Sequence, residues 1–184
     1  MVEFYVAEQE DAPMLARTRQ KVWNATYRGI YPDEMIDQYD LALFTEGDRR
    51  RISDPESKVW LAMEDGDCVG YLVVGSCSPG SYRDFTFRLN SLYLLPPYQK
   101  MGLGKKAFDL TVAECRRCGF DSFFCSCNPH NHNAMGFYAH MGGVLGKLAL
   151  DHENRAEDMA YFEFTINTQA KTDEPGFPAE TKHT

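Results

Sequence analysis

Apolar residues recur at helical spacing in five stretches of this 184-residue chain. Near the N-terminus, Leu15, Thr18 and Val22 fall on one face of a segment that begins at a proline. The strongest apolar stripe lies at 104–117, and Gly119 follows it as a helix stop. The pattern predicts helices at 13–27, 33–39, 41–53, 104–117 and 133–141.

Short runs of apolar and β-branched residues separate these helices and predict strands. The runs at 58–63 and 68–74 flank Asp65-Gly66, a pair of turn residues that tolerate positive φ, which indicates a hairpin. The pattern predicts strands at 2–7, 58–63, 68–74, 85–95, 122–127, 144–150 and 159–166, with an acidic loop at 151–158.

The overall composition is that of one globular domain, because 43% of the residues are apolar and 25% are charged. The element patterns continue to position 166, whereas 167–184 is rich in Thr, Lys, Glu and Pro and predicts a flexible tail. No run approaches the roughly 18–20 consecutive apolar residues of a membrane span. The first residues lack the basic and apolar parts of a secretory signal, so we expect a cytoplasmic protein.

The net charge of −8 limits the class of partner. A nucleic-acid-binding protein needs a basic surface to neutralise phosphates, and this chain is acidic overall. An acidic surface instead raises the local concentration of cationic ligands. We therefore expect neither nucleic acid nor a membrane as the partner.

Six cysteines raise the question of a metal site. Cys115-x-x-Cys118 is followed by Cys125-x-Cys127, but the first pair falls on a predicted helix and the second on one face of a predicted strand. The spacing fits no standard zinc framework. A buried free cysteine behaves as a small apolar residue, so we expect these cysteines to pack in the core without a metal.

A glycine-rich turn, QKMGLGKKAF at 99–108, opens the strongest predicted helix. Successive backbone N–H groups at a helix start form an anion-binding site, and glycines allow a phosphate to approach them closely. Lys100 and Lys105 add positive charge beside Gly102 and Gly104. The stretch predicts a phosphate-binding loop, with a plain strand-to-helix turn as the alternative.

Two familiar phosphate-binding loops do not fit this turn. A Walker loop has four residues between its glycines, followed by Lys-Ser/Thr, and neither feature is present. Gly102-x-Gly104-x-x-Ala107 formally fits the dinucleotide fingerprint. That fingerprint requires a parallel βαβ unit whose second strand ends in an acidic residue, whereas the next predicted strand ends Cys127-Asn128.

A third loop fits. Gln99-x-x-Gly102-x-Gly104 resembles the acyl-CoA-binding signature, Gln/Arg-x-x-Gly-x-Gly/Ala, of the GCN5-related N-acetyltransferase (GNAT) superfamily. Downstream, Asn133 to Gly143 resembles the family's Asn-x-x-Ala-x-x-Phe-Tyr segment and the turn that follows it. Further points of resemblance are the strand residues 92–96 and, in the first helices, Trp23, Tyr27-Arg28-Gly29 and Pro32.

The resemblance implies an α/β fold spanning 1–166, with about four helices around a largely antiparallel sheet of six to seven strands that contains one parallel, splayed pair. It also implies acetyl-CoA as co-substrate and no metal. The pyrophosphate is expected on backbone amides of the glycine turn, and the pantetheine arm alongside the fourth strand. The cofactor-binding residues it implies are Leu92, Tyr93, Leu94, Gln99, Lys100, Met101, Gly102, Leu103, Gly104, Lys105, Asn128 and Asn133.

The resemblance also implies a catalytic residue. In this family an amine attacks the thioester directly, and Tyr138 matches the tyrosine that donates a proton to the leaving thiolate. Taken alone, a tyrosine at helical spacing is equally a core residue. Many relatives carry a glutamate as general base on the fourth strand, but that stretch reads Arg-Leu-Asn-Ser here. A water relay from Asn90 or Ser91 and a carboxylate near Glu157 both stay open.

The acceptor is expected between the first two helices and the later strands. Its candidate residues are Trp23, Tyr27, Tyr31 and Asn90, with Tyr161 as a further aromatic. Such rings suit a cation or a planar group, although core packing explains Trp23 equally well.

The function predicted from these residues is transfer of an acetyl group from acetyl-CoA to a primary amine of a small molecule. Acetylation of a protein N-terminus or of a lysine is an open alternative. A non-catalytic CoA-binding regulatory module is an alternative from another class. The resemblance also makes a homodimer an expected assembly, since dimers are common in the family.

Overall fold

The computed structural model describes residues 1–150 and 152–166, which form seven β-strands and five α-helices. The strands are β1 (Glu3–Val6), β2 (Ser57–Glu64), β3 (Asp67–Ser76), β4 (Phe87–Leu94), β5 (Ser122–Cys127), β6 (Val144–Ala149) and β7 (Met159–Thr165). The helices are α1 (Ala12–Tyr27), α2 (Asp33–Asp37), α3 (Leu41–Ser53), α4 (Leu103–Arg117) and α5 (His132–His140). Every predicted element is present, with five helices where about four were expected. The predicted tail lies outside the described residues.

One seven-stranded sheet forms the centre of the fold, in the order β1-β2-β3-β4-β5-β7-β6. All neighbouring strands are antiparallel except β4 and β5, which run parallel. That parallel pair has only two pairs in register, Arg88 with Phe124 and Leu89 with Cys125. Beyond Leu89 the two strands separate, so the predicted splayed pair is confirmed.

A bulge on β4 lies where the two strands separate. Ser91 pairs with Val73 and Leu89 with Val74, which leaves Asn90 between them without a partner on β3. An extra residue of this kind bends the strand and re-aims the side chains that follow it. The bulge therefore sets the direction in which the outer half of β4 leaves β5.

Helices cover both faces of the sheet. On the face that we call the front, the α1 residues Leu15 and Val22 pack against Val59, Leu61 and Val73, and α3 packs against α1. The opposite face, the back, packs against α4 and α5 in a core cluster that includes Leu72, Leu89, Ala107, Phe108, Phe123, Tyr138 and Phe162. Alternation along each strand sends neighbouring side chains to opposite faces.

A buried ion pair joins the two front helices. Arg19 of α1 and Asp48 of α3 are both almost fully buried, with Nη2 and Oδ1 2.5 Å apart. Nη1 of the same arginine donates to the Tyr71 hydroxyl on β3 at 3.3 Å. Because an uncompensated buried charge is costly, each of these two residues requires the other.

The cysteines are free thiols, and their burial differs along the chain. Cys115 and Cys125 are fully buried in the back core, as predicted, but Cys118 is exposed. The prediction was wrong there because Cys118 caps the C-terminus of α4 and does not lie on the helix's inner stripe. In the described part of the chain no three His, Cys, Asp or Glu side chains form a group suited to a metal ion.

Within the same described residues, none of the helices combines the length and the apolar character that crossing a membrane requires.

Candidate active site

The glycine turn is a sharp left-handed bend before α4. Lys100 has φ of 60° and Gly102, the N-cap residue of α4, has φ of 82°. Glycine adopts such angles without the steric cost that a side chain brings. No side chain caps this helix start, and the first helical bond in the turn is Lys106 N to Gly102 O. The backbone amides of the first turn of α4 are therefore available to an anion.

Gly104 has a different role from Gly102. A Cβ atom at position 104 would lie 3.0 Å from Cε2 of Phe137, a residue of α5. Glycine at this position thus allows α5 to pack directly against the first turn of α4. Any larger residue at position 104 would push the Phe137 ring away from the first turn of α4.

Two of the polar side chains near the glycine turn, Gln99 and Lys105, form contacts within the protein. Gln99 Nε2 donates to the backbone oxygen of Leu94 at 3.0 Å and so ties the turn to the end of β4. Lys105 forms an exposed ion pair with Asp109 at 2.7 Å. Lys100 and Met101 are exposed. Exposed pairs are weak, so Lys105 can exchange its partner for a phosphate at little cost.

The outer half of β4 leaves one edge open. Leu92, Tyr93 and Leu94 pair with β3 on one side, and no residue of β5 is in register with them on the other. An unpaired strand edge presents backbone N–H and C=O groups that an extended ligand can bind. The open edge of β4 can accept an extended ligand as an additional strand, and the glycine turn follows at its end.

Tyr138 lies at the point where β4 and β5 separate. It is 6% exposed, and its hydroxyl lies beside the thiol of Cys125, the last β5 residue in register with β4. Burial raises the pKa of Tyr138 well above its ordinary value, and the neighbouring Cys125 and Cys127 raise it further. The phenol therefore stays protonated and can act as a hydrogen-bond donor.

The aromatic candidates for the acceptor site, Trp23, Tyr27 and Tyr31, form a wall of neighbouring rings, but they differ in position. Tyr27 and Tyr31 stack with ring centroids 4.1 Å apart, and the Tyr27 hydroxyl bonds that of Tyr93 on β4. Trp23 packs edge-on against three rings, those of Tyr27, Tyr39 and Phe44. Core packing therefore accounts for the position of Trp23, whereas Tyr27 is buried and both Trp23 and Tyr31 are partly exposed.

A cleft of about 850 Å³ adjoins this wall. One side is the loop from Gly29 to Asp33, which includes Tyr31, and the other is the β6–β7 loop. Tyr31 connects the cleft to the opening, because it stacks on Tyr27 and lies beside Asn128 at the end of β5. The charged lining residues are Asp33, Glu153, Arg155 and Glu157.

A carboxylate and two histidines fix the β6–β7 side of the cleft. The carboxylate of Asp158 accepts hydrogen bonds from His130 Nε2 at 2.9 Å and from His152 Nδ1 at 2.8 Å. We call these three residues the Asp158 cluster. His130 follows β5, so the cluster joins the β5–α5 loop to the loop that lines the cleft. The cluster matches no sequence motif, and His130 is 28 residues from Asp158, so the sequence pattern does not predict it.

The Asp158 cluster predicts a pH-dependent contribution to stability. The hydrogen bonds from His130 and then His152 lower the pKa of Asp158 to about 2. Because an unfolded aspartate titrates near 3.9, the contribution is complete above about pH 5 and is lost as pH falls from about 4 to 2. The difference in urea midpoint between wild type and Asp158→Asn should therefore shrink over that interval. A difference that stays constant from pH 6 to pH 2 would contradict the assignment.

The two asparagines predicted to bind the cofactor, Asn128 and Asn133, differ in burial and in hydrogen bonding. Asn128 is buried, and its Nδ2 donates to the backbone oxygens of Arg155 and Asp158 at 2.6 and 3.2 Å. Asn128 thus holds the cleft loop, and its amide hydrogens are used within the protein. Asn133 is exposed on α5, whereas Asn131 caps that helix by accepting from Ala134 N at 3.1 Å. The spacing Asn-x-x-Ala fits Asn131, so the segment was placed two residues too late.

Comparisons with known proteins agree with this architecture. The sequence profile of the acetyltransferase (GNAT) family matches residues 18–143. No curated protein sequence matches the chain significantly. The PaiA N-acetyltransferase of Thermoplasma acidophilum, solved in complex with coenzyme A, superposes with a TM-score of 0.73 at 20% identity, covering 90% of this chain and 99% of its own.

Two further solved structures are similar. The Salmonella typhimurium protein yncA, solved with its cofactor acetyl-CoA, has a TM-score of 0.69 at 18% identity and covers 94% of this chain and 98% of its own. A ribosomal-protein-alanine N-acetyltransferase of Brucella melitensis has a TM-score of 0.69 at 17% identity, covering 89% and 99%. At these identities the likeness concerns the fold.

The family profile covers more than half of the chain, and the splayed strands and glycine turn of the fold are consistent with it. The protein therefore belongs to the acetyltransferase (GNAT) family. The resemblance predicted from the glycine turn and the Phe137-Tyr138 segment is confirmed.

Proposed function

We propose that the protein transfers an acetyl group from acetyl-CoA to a primary amine of a small molecule by direct attack. One observation carries this proposal: three features meet at the opening between β4 and β5. They are the open edge of β4, the uncapped start of α4 and the hydroxyl of Tyr138. Together they supply a place for an extended arm, an anion and a leaving sulfur.

The chemistry follows from these groups. The amine nitrogen attacks the thioester carbonyl carbon, the C–N bond forms and the C–S bond breaks, and the thiolate takes a proton. Tyr138 is the proposed donor to that sulfur. The burial that raises the pKa of the phenol also disfavours a charged thiolate, so a leaving thiolate formed there has a stronger tendency to take a proton.

The acceptor amine must also lose a proton, since a primary amine is mostly ammonium at neutral pH. On β4 the groups nearest the opening are Asn90 and Ser91, whose side chains lie 3.4 Å apart. Glu157 lines the cleft on the other side. Two candidates for the general base are therefore supported: a water bound by Asn90 or Ser91 at the bulge, and the carboxylate of Glu157 in the cleft.

The volume and the charge of the cleft support a small acceptor. Its volume of about 850 Å³ lies within the usual range for small-molecule sites, roughly 300–1000 Å³. Its lining contains three carboxylates and one arginine, which favours the entry of a cationic amine. A protein N-terminus remains the second candidate acceptor, because one similar structure is a ribosomal-protein-alanine N-acetyltransferase.

Two experiments test the proposal. A calorimetric titration measures the binding of acetyl-CoA, and a thiol-release assay over a panel of amines and peptides measures its turnover. We expect binding at micromolar concentration and release of CoA with one class of small amine. Failure of the folded protein to bind acetyl-CoA would overturn the proposal. Binding without turnover of any amine or peptide would favour the regulatory module instead.

The exposed edge of the sheet suggests how two copies of the chain associate. We propose a homodimer through the edge strand β6, supported by the exposed apolar side chains of Val144, Leu145 and Leu148. Sedimentation at twice the chain mass of 21.0 kDa is the expected result.

The six free thiols support a reducing compartment such as the cytoplasm.

A further inference from the structure

Arg88 lies on β4, two residues before Asn90, and its side chain leaves the sheet on the front face. Its neighbours Phe87 and Leu89 both pack in the back core, so alternation along the strand places Arg88 on the other side. The guanidinium lies over the ring of Phe124, 5.5 Å from its centroid, and Nη2 donates to Ser126 Oγ at 3.1 Å.

The charge of Arg88 has no counter-ion in the residues that the structure describes, 1–150 and 152–166. A guanidinium has five N–H donors, and those residues accept one of them, through Ser126 Oγ. Its Nε is buried without a partner. By contrast, the buried Arg19 has the carboxylate of Asp48. A partly buried cation that lacks a counter-ion is costly unless a ligand supplies one.

The nearby carboxylate on the front face is already engaged. Glu163 of β7 accepts a hydrogen bond from the Tyr82 hydroxyl at 2.7 Å and forms an ion pair with Arg83. Its charge is therefore compensated by a neighbouring loop. Arg88 keeps a positive charge and free donors in a protein whose net charge is −8.

The position of Arg88 relates it to the reaction. Leu89 and Cys125 form the last pair in register before the strands separate, and Tyr138 lies beside Cys125. Arg88 precedes Leu89 by one residue, and its partner Ser126 follows Cys125 by one residue. One residue of a strand spans about 3.3 Å, so the backbones of Arg88 and of its partner Ser126 each lie one residue from the pair at which the strands separate.

We propose that Arg88 binds a carboxylate of the acceptor, so that the preferred acceptor is a small primary amine that also carries a carboxylate, such as an amino acid. This inference rests on the proposed acetyl transfer and narrows its acceptor. The planar guanidinium presents paired donors that match a carboxylate in a fixed orientation. The same charge repels polyamines, whose second ammonium group would face it.

Matched pairs of acceptors test the proposal: amino acids of increasing length and the carboxamide of each, assayed by thiol release at equal concentrations of free amine. In wild type we expect kcat/KM for the acid to exceed that for its amide by about 10- to 100-fold, the usual range for a charge-assisted hydrogen bond. In Arg88→Gln the ratio should fall towards one, through a higher KM for the acid.

Two variants complete the design. Arg88→Lys keeps the charge without the paired donors and should retain part of the preference. Arg50→Gln removes an arginine that is exposed on α3, remote from the opening, and should leave the ratio unchanged. Calorimetry with acetyl-CoA shows whether each variant is folded and binds the cofactor.

The outcomes separate the two proposals. A wild type that acetylates amides or diamines as well as acids would overturn the role of Arg88 and leave acetyl transfer intact, whatever the variants do. An acid preference that survives unchanged in Arg88→Gln would also overturn it. A wild type that does not bind acetyl-CoA would instead overturn the proposed function. Loss of the preference in Arg88→Gln, with acetyl-CoA binding unchanged, supports the proposal.

Discussion

Replacing Gly104 with aspartate is expected to weaken acetyl-CoA binding by about 1000-fold. The new Cβ would lie 3.0 Å from the ring of Phe137, and the carboxylate would stand at the start of α4, where we place the pyrophosphate. Two like charges about 4 Å apart at an effective dielectric constant near 20 cost about 4 kcal/mol, which corresponds to three orders of magnitude. Calorimetric titration measures the loss directly.

Gly47→Asp is the matched control for this variant. Gly47 is also a helical glycine, on α3, and a Cβ there would meet nothing within 4 Å. The control adds the same charge and the same side chain far from the glycine turn, so its affinity for acetyl-CoA should equal that of wild type. If Gly104→Asp binds acetyl-CoA within about tenfold of this control, the turn does not hold the pyrophosphate.

Replacing Tyr138 with phenylalanine is expected to lower kcat by about 100- to 1000-fold, within the range that a positioned acid contributes. The ring keeps its packing against Phe137 and Phe162, so the affinity for acetyl-CoA and the stability should change little. Because burial raises the pKa of Tyr138, the phenol stays protonated, and its ionisation should not limit the activity of wild type at mildly alkaline pH.

Tyr39→Phe serves as the control for the loss of a hydroxyl. The Tyr39 hydroxyl donates to the backbone oxygen of Ala16 at 2.9 Å, on the α1 side of the front core. Its removal should affect stability modestly and leave kcat unchanged. A Tyr138→Phe enzyme with a kcat near that of wild type would show that the phenol only fills space.

Much of the fold follows from local patterns. The period of apolar residues separated helices from strands because each element must bury one face. The turn at Gly102 was predictable because few residues other than glycine adopt its positive φ. Tyr138 could be placed at the site only through its segment's resemblance to a family, since its burial alone is that of a core residue.

The residues that shape the acceptor side were not predictable, because their partners are distant in the chain. Asp158 bonds His152 within its own loop, but it gains its second histidine only when the fold brings His130 to it from 28 residues away. Likewise, nothing in the sequence distinguishes Arg19, which has a counter-ion, from Arg88, which has none among the described residues. Pairing of this kind depends on the tertiary arrangement, which local periodicity does not describe.

The contact between Gly104 and Phe137 joins the start of α4 to the helix that carries Tyr138. The glycine turn and Tyr138, which are proposed to bind and use acetyl-CoA, therefore belong to one packed unit. That unit depends on a glycine at position 104, where only a hydrogen atom fits beside the ring of Phe137. The acceptor side consists of loops held by polar contacts that can be exchanged singly. Substitutions in those loops, whether natural or engineered, are therefore expected to change the acceptor specificity while leaving the binding of acetyl-CoA intact.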